Sequence, residues 1–175
     1  MTVESSGDSR LEDFNREQAD RLRPTLLSLT AAPSWADGML ARRPYPDLDA
    51  LLAASDELVL GLDVSGIDAA LAGHPRIGER AVKLDVESAA RSSREQAGMS
   101  RASASLQEAM ARGNADYEQR FGRIYLVAAA GRSAEDLLAL LRSRLNNDPD
   151  TELDVVRTEL AIITRQRLTE LLAPP

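Results

Sequence analysis

Apolar residues recur at steps of three and four along most of this chain, and this spacing constrains the fold more than any other feature. Leu153, Val156, Leu160 and Ile163 form one such stripe, which on an α-helix makes a single face for packing against a core. No segment shows a convincing β-strand alternation. Aromatic residues are only 3% of the chain, so the core must consist mainly of Leu, Ala, Val and Ile. The sequence therefore predicts an all-α fold.

Prolines, glycines and capping residues predict where these helices begin and end. Asp47 and Asp150 are expected N-caps, Ser65 is expected to cap a short helix, and Ser133 has Asp136 at capping-box spacing. Residues 81–86 are predicted as a loop, and the apolar residues 124–130 as a segment buried in the bundle. The predicted helices cover residues 11–22, 24–29, 33–40, 48–62, 67–72, 88–99, 101–113, a stretch from 114, 134–145 and 151–172.

The length of 175 residues suits one compact domain, and 43% hydrophobic residues are enough to form a packed interior. The sequence shows neither internal repeats nor a linker that would divide the chain. We therefore expect a single-domain multi-helix bundle over residues 11–173. The polar residues 1–10 are expected to be a disordered lead.

The charge and the hydropathy of the chain narrow its partners. A net charge of −7 argues against nucleic acid, because phosphate binding usually needs a basic face. No apolar run is long enough to span a bilayer, and the N-terminus lacks the basic-then-apolar order of a signal peptide. Cysteine is absent, which excludes disulfides and thiolate catalysis. A cytoplasmic protein is the expectation.

His74 is the only histidine in the chain and the first candidate for chemistry. Gly73 is expected to end the helix before it, and Pro75 biases His74 towards extended backbone and blocks helical continuation. A positioned imidazole can act as an acid or a base because it titrates near neutrality. The alternative is that Pro75 and Gly78 only shape a turn that carries an exposed histidine.

Ser92, Glu95 and Gln96 form the second candidate group. On a helix they share one face, where they would offer a hydroxyl, a carboxylate and an amide. The carboxylate could orient an imidazole, and the other two groups could bind a polar ligand. The same Ser-x-x-Glu spacing is also the signature of a capping box, and on spacing alone capping is the more common explanation.

Other kinds of site are less well supported by the sequence. A metal site needs several ligands, and one histidine without cysteine leaves only carboxylates. Gly61-x-x-x-x-Gly66 lacks the Lys-Ser/Thr of a phosphate loop, and no Gly-x-Ser-x-Gly elbow is present. Tyr117, Phe121 and Tyr125, at four-residue steps, are more typical of a core than of a stacking platform.

Taken together, these segments resemble the 2-oxo-4-hydroxy-4-carboxy-5-ureidoimidazoline (OHCU) decarboxylases of urate degradation. The resemblance covers nearly the whole chain, and its specificity comes from the order and spacing of the pieces. The pieces, in chain order, are Phe14-Asn15, Trp35-Ala36, Arg43-Pro44-Tyr45, His74-Pro75-Arg76-Ile77-Gly78, Ser92-x-x-Glu95-Gln96, Asn114-x-x-Tyr117-Glu118-x-Arg120-Phe121-Gly122, Gly131-Arg132-Ser133 and Ile163-Thr164-Arg165-x-Arg167-Leu168.

The resemblance implies an all-helical homodimer that needs neither a cofactor nor a metal. It implies loss of CO2 from OHCU and protonation to (S)-allantoin, with His74 as catalytic acid/base and Glu95 paired to it. It further implies an apolar helix after Phe121-Gly122 that lines the pocket. The implied substrate-binding residues are Pro75, Ser92, Ser93, Arg94, Gln96, Tyr125, Leu126, Val127, Ala128 and Ala129.

Three positions depart from the pattern of that family. Arg91 stands where tryptophan is frequent, and Arg123 where an apolar residue is common. Ala130 occupies the place where some relatives have an arginine, and no role is assigned to the nearby Arg132. Two alternatives to the decarboxylase stay open at this point, a non-catalytic helical adaptor and a decarboxylase of a related ureido acid.

Overall fold

The computed structural model describes the backbone of residues 5–74, 76–77 and 93–173, and the side chains of residues 9–74, 76–77 and 103–173. In those ranges the regular structure is helical and contains no strand, which confirms the all-α prediction. None of the described helices is both long and apolar enough to cross a membrane. The helices are α1 (Ser5–Arg16), α2 (Ala19–Leu29), α3 (Pro33–Ala41), α4 (Leu48–Leu60), α5 (Val64–Ala72), α6 (Ser93–Phe121), α7 (Ala134–Arg144) and α8 (Pro149–Leu172).

The chain divides into two compact units. One comprises Met1–Gly73 together with Asp154–Pro175, and the other is His74–Leu153. The first boundary directly precedes His74, whereas the second falls inside the continuous helix α8. The prediction of a single domain over residues 11–173 stays a prediction.

The first unit is built around Trp35, which is fully buried. Its indole Nε1 donates to the Ser55 hydroxyl at 3.1 Å, so the one polar atom of the ring is satisfied inside the core. A buried hydrogen bond of 2.6 Å joins the hydroxyls of Thr30 and Thr164, which ties the end of α2 to α8. Leu160 lies in this core as its periodicity predicts.

Two predicted boundaries near the N-terminus are wrong. Helix α1 begins at Ser5 instead of residue 11, so it overlaps the expected disordered lead, of which residues 1–4 lie outside the described chain. Pro24 does not start a helix but lies inside α2. Proline has no backbone N–H, so one carbonyl in the preceding turn lacks its helical donor. Pro24 is exposed, which lets water donate to that carbonyl instead.

Capping residues define helices α3 to α5. Pro33 opens α3 as predicted, and Asp47 caps α4 by accepting from the Ala50 amide at 2.7 Å. Helix α4 ends at Leu60, two residues earlier than expected. The predicted cap Ser65 is wrong, because Asp63 caps α5 by accepting from the Gly66 amide at 2.7 Å, and Ser65 lies within the helix.

Helix α6 is one continuous helix of 29 residues, so the helix breaks predicted near residues 100 and 114 are absent. Gly113 does not end the helix but lets α7 approach closely. A Cβ built there would lie 2.6 Å from Cδ2 of the fully buried Leu141. The predicted loop 81–86 and the predicted helical residues before Ser93 lie outside the described chain.

The last two helices are also capped by side chains. Ser133 and Asp136 form the predicted capping box at the start of α7. Helix α8 begins at Pro149, and its cap is Asp148, which accepts from the Thr151 amide at 3.0 Å. The predicted cap Asp150 is therefore wrong, since it lies in the first turn of the helix.

Candidate functional site

His74 directly follows Gly73, the C-cap of α5, and is not helical. This is the position that the sequence predicted. The side chain is half-buried, which differs from the alternative of an exposed histidine on a turn. Pro75 and Gly78, which were expected to shape the segment, lie outside the described chain.

Two residues of α6 hold the segment that follows His74. The Asn114 side chain donates from Nδ2 to the Ile77 carbonyl at 2.9 Å. One turn further along α6, Glu118 accepts from Arg76 with both carboxylate oxygens, from Nε at 2.5 Å and from Nη2 at 3.0 Å. The Ile77 side chain packs against the hydrophobic core of the same unit. The backbone beside His74 is therefore held by one amide and one bidentate ion pair.

Sequence reasoning missed Asn114 and Glu118 as anchors, although both belong to the motif that carries the family resemblance. The available signal was their spacing, because Asn114, Tyr117 and Glu118 share one face of a helix. The hydrogen bond from Arg76 lowers the pKa of Glu118 and outweighs the opposing effect of partial burial. Glu118 is thus held in its charged form.

The segment predicted to be an apolar helix after Phe121-Gly122 is not helical, so that expectation is wrong. Helix α6 ends at Phe121, and Gly122 has φ +70°, a conformation that favours glycine and turns the chain away from the helix axis. Burial of its residues is confirmed only in part. Tyr125, Leu126 and Val127 are buried, whereas Ala128 is partly and Ala129 fully exposed.

A cluster of largely buried polar side chains contacts this segment at the Leu126 carbonyl. Arg144 donates from Nη1 to the Leu126 carbonyl at 2.7 Å and to Glu152 Oε1 from Nε at 2.8 Å and from Nη2 at 2.6 Å. Glu152 is fully buried and also accepts from the Tyr117 hydroxyl and, through Oε2, from Asn147 at 2.8 Å. We call Arg144, Glu152, Tyr117 and Asn147 the buried network.

Electrostatics favour the charged form of Arg144 and the protonated form of Tyr117 in the buried network. Burial alone would lower the pKa of Arg144, but the hydrogen bond to Glu152 and electrostatic interactions with Tyr117, Glu152 and Tyr125 raise it. Burial, reinforced by the hydrogen bond to Glu152, raises the pKa of Tyr117, so the phenol stays protonated and donates. The Arg144 guanidinium also lies 4.8 Å from the ring centroid of Tyr125, at cation–π distance.

Nothing in the sequence indicated this network. An arginine in the last turn of one helix and a glutamate in the first turn of the next usually lie in solvent, near helix ends that favour their charges. The aromatic side chains around it were predicted correctly as core. Tyr117 lies 4.7 Å from Phe121 and 5.3 Å from Tyr125 between ring centroids.

Several predicted site residues cannot be located with their side chains. Pro75 and Ser92 lie outside the described chain, and the side chains of Ser93, Arg94, Glu95 and Gln96 do as well. The backbone of Glu95 and Gln96 is helical, as the sequence predicted. The pairing of His74 with Glu95 stays a prediction.

The helical path of α6 sets a condition on that pairing. Along a straight α-helix, Glu95 and Asn114 would lie about 28 Å apart. His74 is held near Asn114, because three residues of extended chain from Ile77 reach at most about 10 Å. On a straight α6, most of that distance would have to be covered by the chain from Ile77 to His74 and by the two side chains.

Outside these segments, the described residues include an open depression of about 440 Å³. None of its lining residues is a predicted site residue, and the Arg42–Glu57 ion pair of 2.7 Å lies at its edge. The residues that line the depression are Ser34, Arg42, Glu57, Leu58, Gly61, Leu62 and Asp63.

In the described ranges no three His, Asp or Glu side chains form a group that could hold a metal ion.

Comparison with known proteins identifies the family. The OHCU decarboxylase family model matches residues 15–169. The 2-oxo-4-hydroxy-4-carboxy-5-ureidoimidazoline decarboxylase of Amia calva is 29% identical over 82% of this chain and 82% of its own length. The uric acid degradation bifunctional protein TTL of Arabidopsis thaliana is 30% identical over 78% of this chain, which spans only 43% of that relative.

A solved structure supports the fold. It is described as OHCU decarboxylase in the presence of (S)-allantoin, has a TM-score of 0.68 at 21% identity, and covers 89% of this chain and 99% of its own. At that identity the likeness establishes the fold alone. The match of the family model over most of the sequence is broader evidence, and by it the chain belongs to the OHCU decarboxylase family.

Proposed function

We propose that this protein decarboxylates OHCU to (S)-allantoin with His74 as the catalytic acid/base. The family match over residues 15–169 carries the proposal, and it makes the chain a carboxy-lyase of urate degradation. The half-buried His74, held beside α6 through Arg76 and Ile77, supports the assignment of the catalytic group. A related fold described in the presence of (S)-allantoin agrees with the proposed product.

The substrate supplies most of the chemistry. Its reacting carbon carries a carboxylate and a hydroxyl and lies next to a C=N bond. When CO2 leaves, the bonding electron pair forms a C=C bond in the ring and the electrons of the C=N bond move to its nitrogen, which takes up a proton, so the ring is its own electron sink. The hydroxyl proton is then lost as a proton is delivered to the neighbouring carbon. His74 would take or relay the hydroxyl proton, because imidazole exchanges protons near neutral pH.

The remaining predicted residues would bind and orient the substrate. Glu95 would stabilise the protonated imidazole. Ser92 and Gln96 would hydrogen-bond the ureido and ring amide groups within the stretch from Ser92 to Gln96. Pro75 and residues 125–129 would form the walls. A pocket that admits the proton from one face only would yield a single enantiomer.

The decisive experiment measures product chirality. Urate is converted to OHCU in the cuvette by urate oxidase and hydroxyisourate hydrolase, and circular dichroism follows the allantoin formed with and without this protein. We expect (S)-allantoin at a rate well above the spontaneous one. Racemic allantoin at the spontaneous rate would refute the proposed function and leave the adaptor or the related decarboxylase as explanations.

Substitution of His74 tests the catalytic assignment. His74→Ala should lower kcat by at least ~100-fold, the usual contribution of acid–base catalysis, with the fold unchanged. Asp47→Ala is the matched control for a general loss of stability. It removes the α4 cap at a cost of ~1 kcal/mol and lies in the other unit. A His74→Ala variant with near wild-type kcat contradicts the mechanism. Glu95→Gln separately tests the pairing.

We further propose that the protein is a cytoplasmic homodimer. Family resemblance supports the dimer, and the location stays a prediction. Sedimentation equilibrium of the purified chain tests the first, with twice the monomer mass of 19.0 kDa expected. A single 19.0 kDa species at all concentrations would contradict it.

A further inference from the structure

Asn114 is a buried polar side chain to which the mechanism above gives no role. It is only 6% exposed, and its Nδ2 donates to the Ile77 carbonyl at 2.9 Å. Ile77 lies three residues after His74 in the same unit. Because three residues of chain reach at most ~10 Å, the restraint at Ile77 limits how far the His74 backbone can lie from α6.

The orientation of the Asn114 amide is fixed by its partner. A carbonyl can only accept, so the amide must present Nδ2 to Ile77 and turn Oδ1 the other way. That Oδ1 is buried and has no hydrogen-bond partner among the described residues. A buried acceptor without a donor destabilises the folded state. An apolar side chain of similar size would avoid this cost but would leave the Ile77 carbonyl without its donor, so asparagine brings little net stability here.

The second anchor of the segment is of a different kind. The Arg76–Glu118 pair is half-exposed on the arginine side, with side-chain exposures of 50% and 30%. Exposed ion pairs are screened by salt and contribute little. The Asn114 hydrogen bond is part-buried and joins two neutral groups, so it neither titrates nor depends on salt as an ion pair does.

From these observations we propose that Asn114 is a positioning residue for the reaction, one that fixes the catalytic His74 through the Ile77 carbonyl without touching the substrate. The inference rests on the proposed function, since it assumes that His74 is the acid/base. Misplacement of a catalytic group by ~1 Å can cost ~100-fold in rate. Loss of this anchor therefore affects the chemical step more than substrate binding.

The test is Asn114→Leu in the product-chirality assay, with thermal unfolding measured in parallel. We expect kcat to fall by ~10-fold or more while KM changes less than ~3-fold, the pattern of an interaction used in the transition state. The unfolding temperature should change little, because removal of the unpaired acceptor offsets the loss of the donor to the Ile77 carbonyl. Loss of rate without loss of stability is a result that a purely structural role does not produce.

A second variant and a control make every outcome decisive. Asn114→Asp keeps the shape and removes the donor, so it decides the matter if the leucine variant does not fold. Ser133→Ala removes the α7 cap in the same unit and sets the rate change caused by destabilisation alone. Wild-type kcat in both Asn114 variants overturns the proposal. The proposal is also overturned if the Asn114 variants lose no more kcat than a control whose unfolding temperature falls by the same amount. Absence of (S)-allantoin from the wild-type protein overturns the proposed function instead.

Discussion

Replacement of Glu152 by glutamine removes the negative charge of the buried network at nearly constant volume. Glu152 is fully buried, Arg144 is 4% exposed at its side chain, and both Arg144 nitrogens that face Glu152 donate to Oε1. Glutamine leaves the Arg144 guanidinium buried without a counter-charge. The glutamine amide has only one oxygen, so its nitrogen must face either Asn147 or Tyr117 and Arg144. The side that meets the nitrogen loses its hydrogen-bond acceptor.

The expected magnitude follows from the burial of the pair. Breaking a buried ion pair by removal of one partner costs ~3–5 kcal/mol, compared with ~0–1 kcal/mol for an exposed pair. For a chain of this size, each kcal/mol corresponds to ~2–4 °C in unfolding temperature, so Glu152→Gln should lower it by about 10 °C. Differential scanning calorimetry and urea unfolding measure both quantities.

A double-mutant cycle separates pair formation from general damage to the core. Arg144→Met removes the cation, so in the double variant Glu152→Gln no longer leaves a buried charge. The double variant should be more stable than the sum of the single effects predicts, by ~1–3 kcal/mol. Arg142→Met, exposed in the same helix turn, is the matched control and should change stability by less than ~0.5 kcal/mol. Strict additivity, or a loss below ~1 kcal/mol for Glu152→Gln, would refute this reasoning.

Two further predictions concern α6. Gly113→Ala should destabilise the protein by ~1 kcal/mol, because displacement of the buried Leu141 outweighs the gain in helix propensity; a higher denaturation midpoint would contradict this. Arg76 lowers the folded-state pKa of Glu118 below its ordinary 4.5, so the stability from this pair is complete above about pH 5 and declines as the pH falls through the folded-state pKa. Below about pH 5, the free energy of unfolding should therefore fall less steeply with pH in Glu118→Gln than in the wild type. Identical curves for the two proteins would exclude this contribution of Glu118.

The parts of the fold that depend on local sequence were predictable. Asp47 and the Ser133–Asp136 box cap helices as predicted, because a cap needs only a side chain and the next three residues. For α5 the sequence predicted Ser65 as the cap, but Asp63, two residues earlier, is the cap in the structure. The path of the chain on either side decides which of them can adopt extended backbone.

Long-range contacts explain what sequence reasoning missed. The stretch from Tyr125 to Ala129 has an apolar composition that suits a helix, but Gly122 turns the chain and Arg144 takes the Leu126 carbonyl from another helix. The location of His74 after a helix end was predictable because Gly73 and Pro75 mark it locally. Its anchors Asn114 and Glu118 lie some forty residues away in sequence, and spacing reveals that they share a face but not what they face.

One turn of α6 connects the two segments proposed to surround the substrate. Asn114 and Glu118 hold the His74 side through Ile77 and Arg76. Tyr117, between them, donates to Glu152 in the network whose Arg144 holds the Leu126 carbonyl. The first contacts restrain the segment that follows the proposed catalytic histidine, whereas the second restrain the proposed wall of the pocket. Substitutions at Asn114 should therefore lower kcat at constant stability. Substitutions in the buried network should lower stability first, because this side of the turn buries more charge than the other.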